Sequence, residues 1–258
     1  MKISSWNVNS VRARILNITN YLKSSSPDIL IVQEIKTEEK NFPFSDFKKL
    51  GYKSYVFGQK SYNGVAILSK VNIDKIDLEF INDENKQSRI IVGEIKNKSK
   101  RIKLINIYAP NGNPSNSPKF TYKLKWMDRL LLHAKNLLHN EEVVVLGGDY
   151  NVIPSDGDVY DPSSWHDDAL FKTETRSSFQ AIINLGYTEA FRALNKQTGM
   201  YTFWDYQKGR FQRDEGLRID HFLLSPEAAD LLNTCTIDRK PRSWTKTSDH
   251  TPVLCELR

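Results

Sequence analysis

Val143-Val144-Val145-Leu146-Gly147-Gly148-Asp149-Tyr150-Asn151 sets four aliphatic residues, three of them β-branched, directly ahead of two glycines, a carboxylate and an amide. Branching at Cβ favours extended backbone, and a run without a polar residue on either alternating face reads as a strand buried on both sides. Such a strand needs apolar layers above and below it. Similar runs recur at Lys2 to Trp6, Asp28 to Val32, Val65 to Leu68, Ile90 to Ile95, Ile102 to Tyr108, Arg218 to Leu224 and Pro252 to Leu257. Between them the spacing predicts a helix over Ser117 to Leu138, with Ser117 as cap, Pro118 in the first turn, and Phe120, Leu124, Met127, Leu131, Ala134 and Leu138 on one stripe. A second is predicted over Val11 to Leu22, capped by Asn9-Ser10, with Val11, Ile15, Ile18 and Leu22 as its apolar face. This order of elements predicts an α/β protein with two sheets packed face to face and helices outside.

The 258 residues, 39% hydrophobic and 26% charged, describe an ordinary globular chain and exclude a disordered one. No apolar run reaches the roughly 20 residues that a bilayer demands. The opening Met1-Lys2-Ile3-Ser4-Ser5-Trp6-Asn7 reads as a strand and not as a secretory leader, so a cytoplasmic location is expected. Without a Pro/Gly/Ser linker or a fixed repeat, residues 1–258 read as one domain, with a monomer as the default. Cys235 and Cys255 form no CxxC pair, which leaves neither a disulfide framework nor a zinc site. Lys plus Arg (37) exceeds Asp plus Glu (31), giving a net charge of +6 that makes a polyanionic partner plausible.

Several apolar strands end abruptly in acids or amides. Asn7 closes the first, Glu34 the second and Asp149 the quoted one, while Asp220 sits within Leu217 to Leu224 and Asp249-His250 precedes the last strand. Asp149 and Asn151 are two apart, so on extended backbone both side chains project to one side. Each of these alone reads best as a turn residue, a solvated cap or a surface hydrogen bond. As a set, the oxygen donors Asn7, Glu34, Asp149, Asn151 and Asp249, joined by His250 and by no thiolate, match a hard-cation site for magnesium or manganese.

The blocks Trp6-Asn7-Val8-Asn9, Gln33-Glu34, Asn63-Gly64-Val65-Ala66, Tyr108-Ala109-Pro110-Asn111-Gly112, Gly148-Asp149-Tyr150-Asn151, Arg218-Ile219-Asp220 and Ser248-Asp249-His250 occur in an order that resembles the endonuclease/exonuclease/phosphatase superfamily, and within it the exonuclease III family of abasic-site endonucleases. The resemblance spans the whole chain. It implies a four-layered α/β sandwich with two packed mixed sheets flanked by helices, and magnesium-dependent hydrolysis of duplex DNA beside abasic sites or at blocked 3′ ends. It also implies roles. Glu34 would be the principal metal ligand, with Asn7, Asp249 and Asp149, while Asp149 would deprotonate the attacking water and Asn151 would hold the oxyanion. Tyr108 would touch the phosphate or leaving group. His250, oriented by Asp220, would contact the phosphate; the same pair also reads as the general base, and the two readings stay open. Asn111, Phe203, Trp204, Leu217 and Arg218 would meet the substrate.

Phe203 to Arg213 interleaves aromatics with cations, which fits base stacking as well as it fits rings packed beneath a surface loop. Lys96, Lys98, Lys100, Arg101 and Lys103 read as a soluble hairpin, whereas Arg239, Lys240, Arg242 and Lys246, close to Asp249, read as reaching a phosphate backbone. Two other readings compete: a superfamily phosphatase, sphingomyelinase or nonspecific nuclease with the same metal centre, and a DNA-binding protein that has lost catalysis. The basic aromatic loop argues against the former, and the intact acid and amide set against the latter.

Overall fold

The quoted run forms a strand over Val143–Asp149, buried at every position. The computed structural model describes residues 1–78, 81, 83–97 and 100–258. Its strands are β1 (Lys2–Asn7), β2 (Ile29–Gln33), β3 (Lys53–Phe57), β4 (Val65–Ser69), β5 (Lys75–Asp77), β6 (Ile90–Asn97), β7 (Lys100–Tyr108), β8 (Val143–Asp149), β9 (Thr188–Glu189), β10 (Asp220–Leu224), β11 (Leu232–Ile237) and β12 (Val253–Leu257). The helices are α1 (Ile15–Ser25), α2 (Phe44–Lys48), α3 (Pro118–Leu138), α4 (Thr173–Asn184), α5 (Ala190–Leu194) and α6 (Pro226–Ala229). One six-stranded sheet runs β11-β12-β1-β2-β4-β3 and the other β5-β6-β7-β8-β10-β9.

Alternation along each strand explains the unbroken apolar runs. Ile29 and Ile31 of β2 and Val143 and Val145 of β8 meet in the core between the sheets. Leu30 and Val32 point outward onto Ile18, Tyr21 and Leu22 of α1 and Phe47 of α2. Val144 and Leu146 point outward onto Trp126, Met127 and Leu130 of α3 and Phe179 and Ile182 of α4. Both faces of both central strands are therefore covered, giving the four layers expected.

Several local expectations shift. The buried stripe of α3 is Lys123, Trp126, Met127, Leu130, Ala134 and Leu137, a face rotated from the expected one. Phe120, Leu124, Leu131 and Leu138 flank it, half-buried, because the sheet meets the helix along the Trp126–Met127 ridge. Ser117 does not cap α3 with its side chain; its hydroxyl donates to the Pro114 carbonyl instead. α1 starts only at Ile15, since Asn9 and Ser10 both take positive φ and Val11 packs into the core ahead of the helix. β6 and β7 do form a hairpin, with Asn97 opposite Lys100, while Lys98 lies outside the described residues.

Topology gathers the polar strand ends. β1 and β2 run parallel, as do β7 and β8, so Asn7, Glu34, Tyr108 and Asp149 all stand at carboxyl ends, where open α/β sheets bind ligands. β10 is antiparallel to β8 with Asp220 directly opposite Asp149. β12 is antiparallel to β1, which carries its preceding residues, including His250, to the same end.

Candidate active site

The backbone leaves both central strands sharply at this end. Glu34 has φ 51° and Asn151 φ 50°, a left-handed conformation that costs a non-glycine residue about 1–3 kcal/mol and recurs at functional sites. Asn151 is thus off the strand, and the extended backbone that its spacing from Asp149 predicts is not what it adopts. It still reaches the site, because its N–H donates to Asp149 Oδ1 at 2.9 Å and turns the chain back. Gly148 is required just before: at φ 146°, a Cβ would stand 1.9 Å from the Ile107 carbonyl oxygen.

Glu34, Asp149 and His250 bring one ligand atom each within 4.8 Å of one another. Asn7, fully buried, donates through Nδ2 to Glu34 Oε1 at 2.8 Å and to Asp149 Oδ2 at 2.9 Å. His250 Nδ1 lies 2.9 Å from Asp220 Oδ2, and its Nε2 stands 3.8 Å from Asp149 Oδ2, too far for a hydrogen bond. Asp249 lines the same cleft but accepts a hydrogen bond from Asn9 at 3.0 Å and is outside the close cluster. Asn151 donates from Nδ2 to the Ala109 carbonyl at 2.9 Å and accepts from Asn111 Nδ2 at 3.2 Å. Tyr108 lines the cleft with Arg89 stacked 4.8 Å from its ring centre.

Electrostatics separates these groups. Burial pushes Asp149 up to about 7, with Asp220 adding to that and His250 opposing it. Burial disfavours a charged His250, but Asp220, Asp149 and Asp249 overcome this and raise it to about 10, so it is an imidazolium at neutral pH. Burial likewise penalises the Glu34 carboxylate, yet Lys36, 2.8 Å away, and the Asn7 amide hold it below its usual range. Burial and Glu34 push the Tyr108 phenol well above its usual value, leaving it a donor. A buried carboxylate, Asp149, and a partly buried one, Glu34, with Asp249 and the Asn151 amide in the same cleft, are a donor set that fits a hard divalent cation.

The cleft has a volume of about 290 Å³, and Phe203, Leu217, Ile219, Leu170 and Trp165 form its apolar wall opposite Asn111 and Asn151. Two expected substrate contacts do not line it. Trp204 is fully buried, its indole N–H bound to Asp214 at 3.1 Å. Arg218 is buried behind β10, pairing with Asp158 at 2.7 Å and Glu189 at 2.9 Å, because an arginine flanked by two carboxylates is held by them. Arg242 is also withdrawn, bound to the Trp204 carbonyl and stacked on Tyr206 and Phe211, whereas Lys240 and Lys246 are exposed and Arg239 pairs with Asp214. Sequence reasoning missed Lys36, which bridges Glu34 and Asn9, and Lys123, Trp165 and Asp168 around the cleft. Lys123 carried a readable signal, a lysine on the same helical stripe as Trp126 and Met127.

Two packed sheets with a carboxylate–imidazole cluster at the carboxyl ends of their strands define a class of α/β hydrolytic sandwich. Residues 4–250 match the family model described as Endonuclease/Exonuclease/phosphatase, and the chain belongs to that family. It is 31% identical to an exodeoxyribonuclease III from Haemophilus influenzae over 267 residues, covering 100% of both. Among solved structures it is similar to an AP endonuclease from Archaeoglobus fulgidus, with a TM-score of 0.94, 35% identity, and 100% and 99% of the two chains covered. A 3′ phosphatase from Neisseria bound to a product DNA hairpin gives a TM-score of 0.93 at 36% identity, again over 100% and 99%.

Proposed function

We propose that the protein is a DNA-repair phosphodiesterase that, with magnesium or manganese, hydrolyses duplex DNA on the 5′ side of abasic sites and removes nucleotides or blocking groups from 3′ ends, leaving 3′ hydroxyls. The observation that carries this reading is the convergence of Glu34, Asp149 and His250 within 4.8 Å in a cleft with an apolar wall. The names of the relatives, an exodeoxyribonuclease, an AP endonuclease and a 3′ phosphatase, point the same way. Residues 1–258 would act as one nuclease domain, a reading supported by the pairing of β1 with β12, and as a monomer by default.

Glu34 and Asp149 would hold the cation, with Asp249 and Asn151 offering further oxygens and Asn7, expected as a ligand, orienting both carboxylates through its Nδ2. Bound there, the cation would neutralise the phosphate and the departing oxygen. Asp149, its oxygens aimed by Asn7 and the Asn151 N–H, accepts the proton of the water that attacks phosphorus in line. Asn151 has one amide hydrogen engaged with Ala109, which leaves the other for a phosphate oxygen as charge develops. His250, its Nδ1 bonded to Asp220, donates from Nε2 to a phosphate oxygen, the role that its raised pKa favours over that of general base. Tyr108, kept protonated, donates to the phosphate or leaving group. Phe203 and Leu217 form the wall against which a baseless deoxyribose would rest, with Asn111 at the opposite rim.

The test is cleavage of a duplex carrying one tetrahydrofuran abasic analogue, beside the intact duplex, with magnesium or EDTA. Magnesium-dependent incision 5′ to the analogue with a 3′ hydroxyl product is expected, with stepwise 3′ shortening of the intact duplex. Failure on both, with preferential turnover of phosphate monoesters, would overturn the reading in favour of a phosphatase.

A further inference from the structure

Lys123 is fully buried in the second turn of α3, on a stripe of Trp126, Met127 and Leu130. An ammonium group there is tolerated only if its three protons find acceptors, since it has three donors and no acceptor of its own. It meets three backbone carbonyls: Asn151 at 2.5 Å, Asn111 at 3.0 Å and Ala169 at 3.4 Å. Among the described residues no carboxylate lies within ion-pair reach of it. The three carbonyls come from three separate segments, the loop after β7, the turn after β8 and the loop ahead of α4, each of which supplies the cleft with a side chain: Asn111, Asn151 and Asp168 or Leu170. The chain also closes over the lysine stem. At Gly112, with φ 89°, a Cβ would stand 2.6 Å from Lys123 Cδ.

We infer that Lys123 is a positioning residue whose ammonium group fixes the turn that presents Asn151 to the reacting phosphate; this rests on the phosphodiesterase reading above. Asn151 holds a left-handed backbone conformation at φ 50°, one that asparagine tolerates and that the bonds of its carbonyl to Lys123 and of its N–H to Asp149 fix in place. Its carbonyl points into the protein toward Lys123 while its side chain faces Asn111 and the cleft. Orientation of that peptide therefore sets the direction of the side-chain amide. Remove the ammonium group and the Asn151 and Asn111 carbonyls lose their donor, while the Ala169 carbonyl keeps the Thr175 hydroxyl, so the turn at Asn151 relaxes and its amide leaves the path of the developing oxyanion.

The experiment is a double-mutant cycle on the tetrahydrofuran duplex with magnesium, using Lys123→Met, Asn151→Ala and the two combined. Methionine keeps the apolar stem and removes the donors. Lys123→Met is expected to lower kcat on the order of 10²-fold, the scale of a lost oxyanion donor, with KM changed less than about threefold. The combined variant should be no slower than Asn151→Ala alone by more than about threefold, because the lysine acts through the asparagine. Losses that multiply would overturn the inference, as they are what a merely structural role gives. Should Lys123→Met fail to fold, Lys123→Ala with propylammonium chloride replaces it: recovery of turnover in Lys123→Ala, and none in Asn151→Ala, is expected, and a folded Lys123→Ala that does not respond to the amine refutes the role. Wild-type protein that leaves the duplex uncut would remove the phosphodiesterase reading and this role with it, whereas a cutting wild type with multiplying losses would remove this role alone.

Discussion

Asp149 carries opposing demands. It must be buried and fixed to aim at phosphorus, and burial is what makes it reluctant to ionise. A carboxylate whose pKa stands near 7 is well matched to taking a proton from water at neutral pH, so Asp149→Asn should keep fold and DNA binding while lowering turnover by about 10³-fold or more. Turnover within tenfold of wild type, in protein with an unchanged circular dichroism spectrum, would sink the assignment. The same value sets a pH dependence for the cation. Below about 7 Asp149 holds a proton that a cation must displace; above it, none. Magnesium affinity should therefore rise as pH increases from 5.5 to about 7 and then level, with proton release on binding only at the lower pH. Calorimetric titration in two buffers of different ionisation enthalpy measures that release; equal release at both ends of the range would contradict it.

At the scale of elements, the residues behind β10 decide whether Asp220 is held opposite Asp149. Arg218 joins Asp158 from the loop after β8 to Glu189 of β9, and donates to His221 Nδ1 as a third partner at 3.0 Å. Removing it leaves the buried Glu189 without its arginine and the buried Asp158 with Arg192 alone, so Arg218→Met should destabilise the fold by about 3–5 kcal/mol in denaturant titration. The network also has a pH sign. Although burial opposes it, Arg218 lowers Glu189 to about 2 from an ordinary 4.5, so its contribution is complete above about pH 4.5 and is lost as pH falls toward 2. Wild-type stability should fall over that window, and Arg218→Met should fall less steeply; parallel slopes would mean that the pair is not what holds the charge. What the sequence revealed follows the same division. Central strands such as β2 and β8 were legible because both faces are apolar, while β3, β5, β9 and β11 were not, being short or edge strands with exposed residues that dilute the alternation. Asp149 and Glu34 announced themselves as charges ending apolar runs. Trp204 and Arg218 misled because a loop aromatic and a loop cation look alike in sequence whether they face a ligand or a buried partner.

For the molecule as a whole, the centre lies across a seam. Asn7 and Glu34 belong to one sheet, and Asp149 and Asp220 to the other; between them the sheets share a core of side chains such as Ile31, Val145 and Phe222. A cation held by Glu34 and Asp149 would thus tie the two sheets at the open end of the sandwich. Anything that binds the folded state alone stabilises it by mass action, about 2.7 kcal/mol at a hundredfold excess over Kd. For a chain of this size 1 kcal/mol corresponds to roughly 2–4 °C, so saturating magnesium should raise Tm by about 5–10 °C over EDTA. The shift should vanish in Glu34→Gln, whose amide cannot supply the charge, and should survive in Phe203→Ala, which alters only the apolar wall. Scanning calorimetry of the three proteins with and without magnesium decides it: an equal shift in Glu34→Gln would mean that the cation stabilises from elsewhere, and no shift in wild type at millimolar magnesium would mean that the seam is closed by Asn7, Lys36 and His250 alone until substrate phosphate arrives.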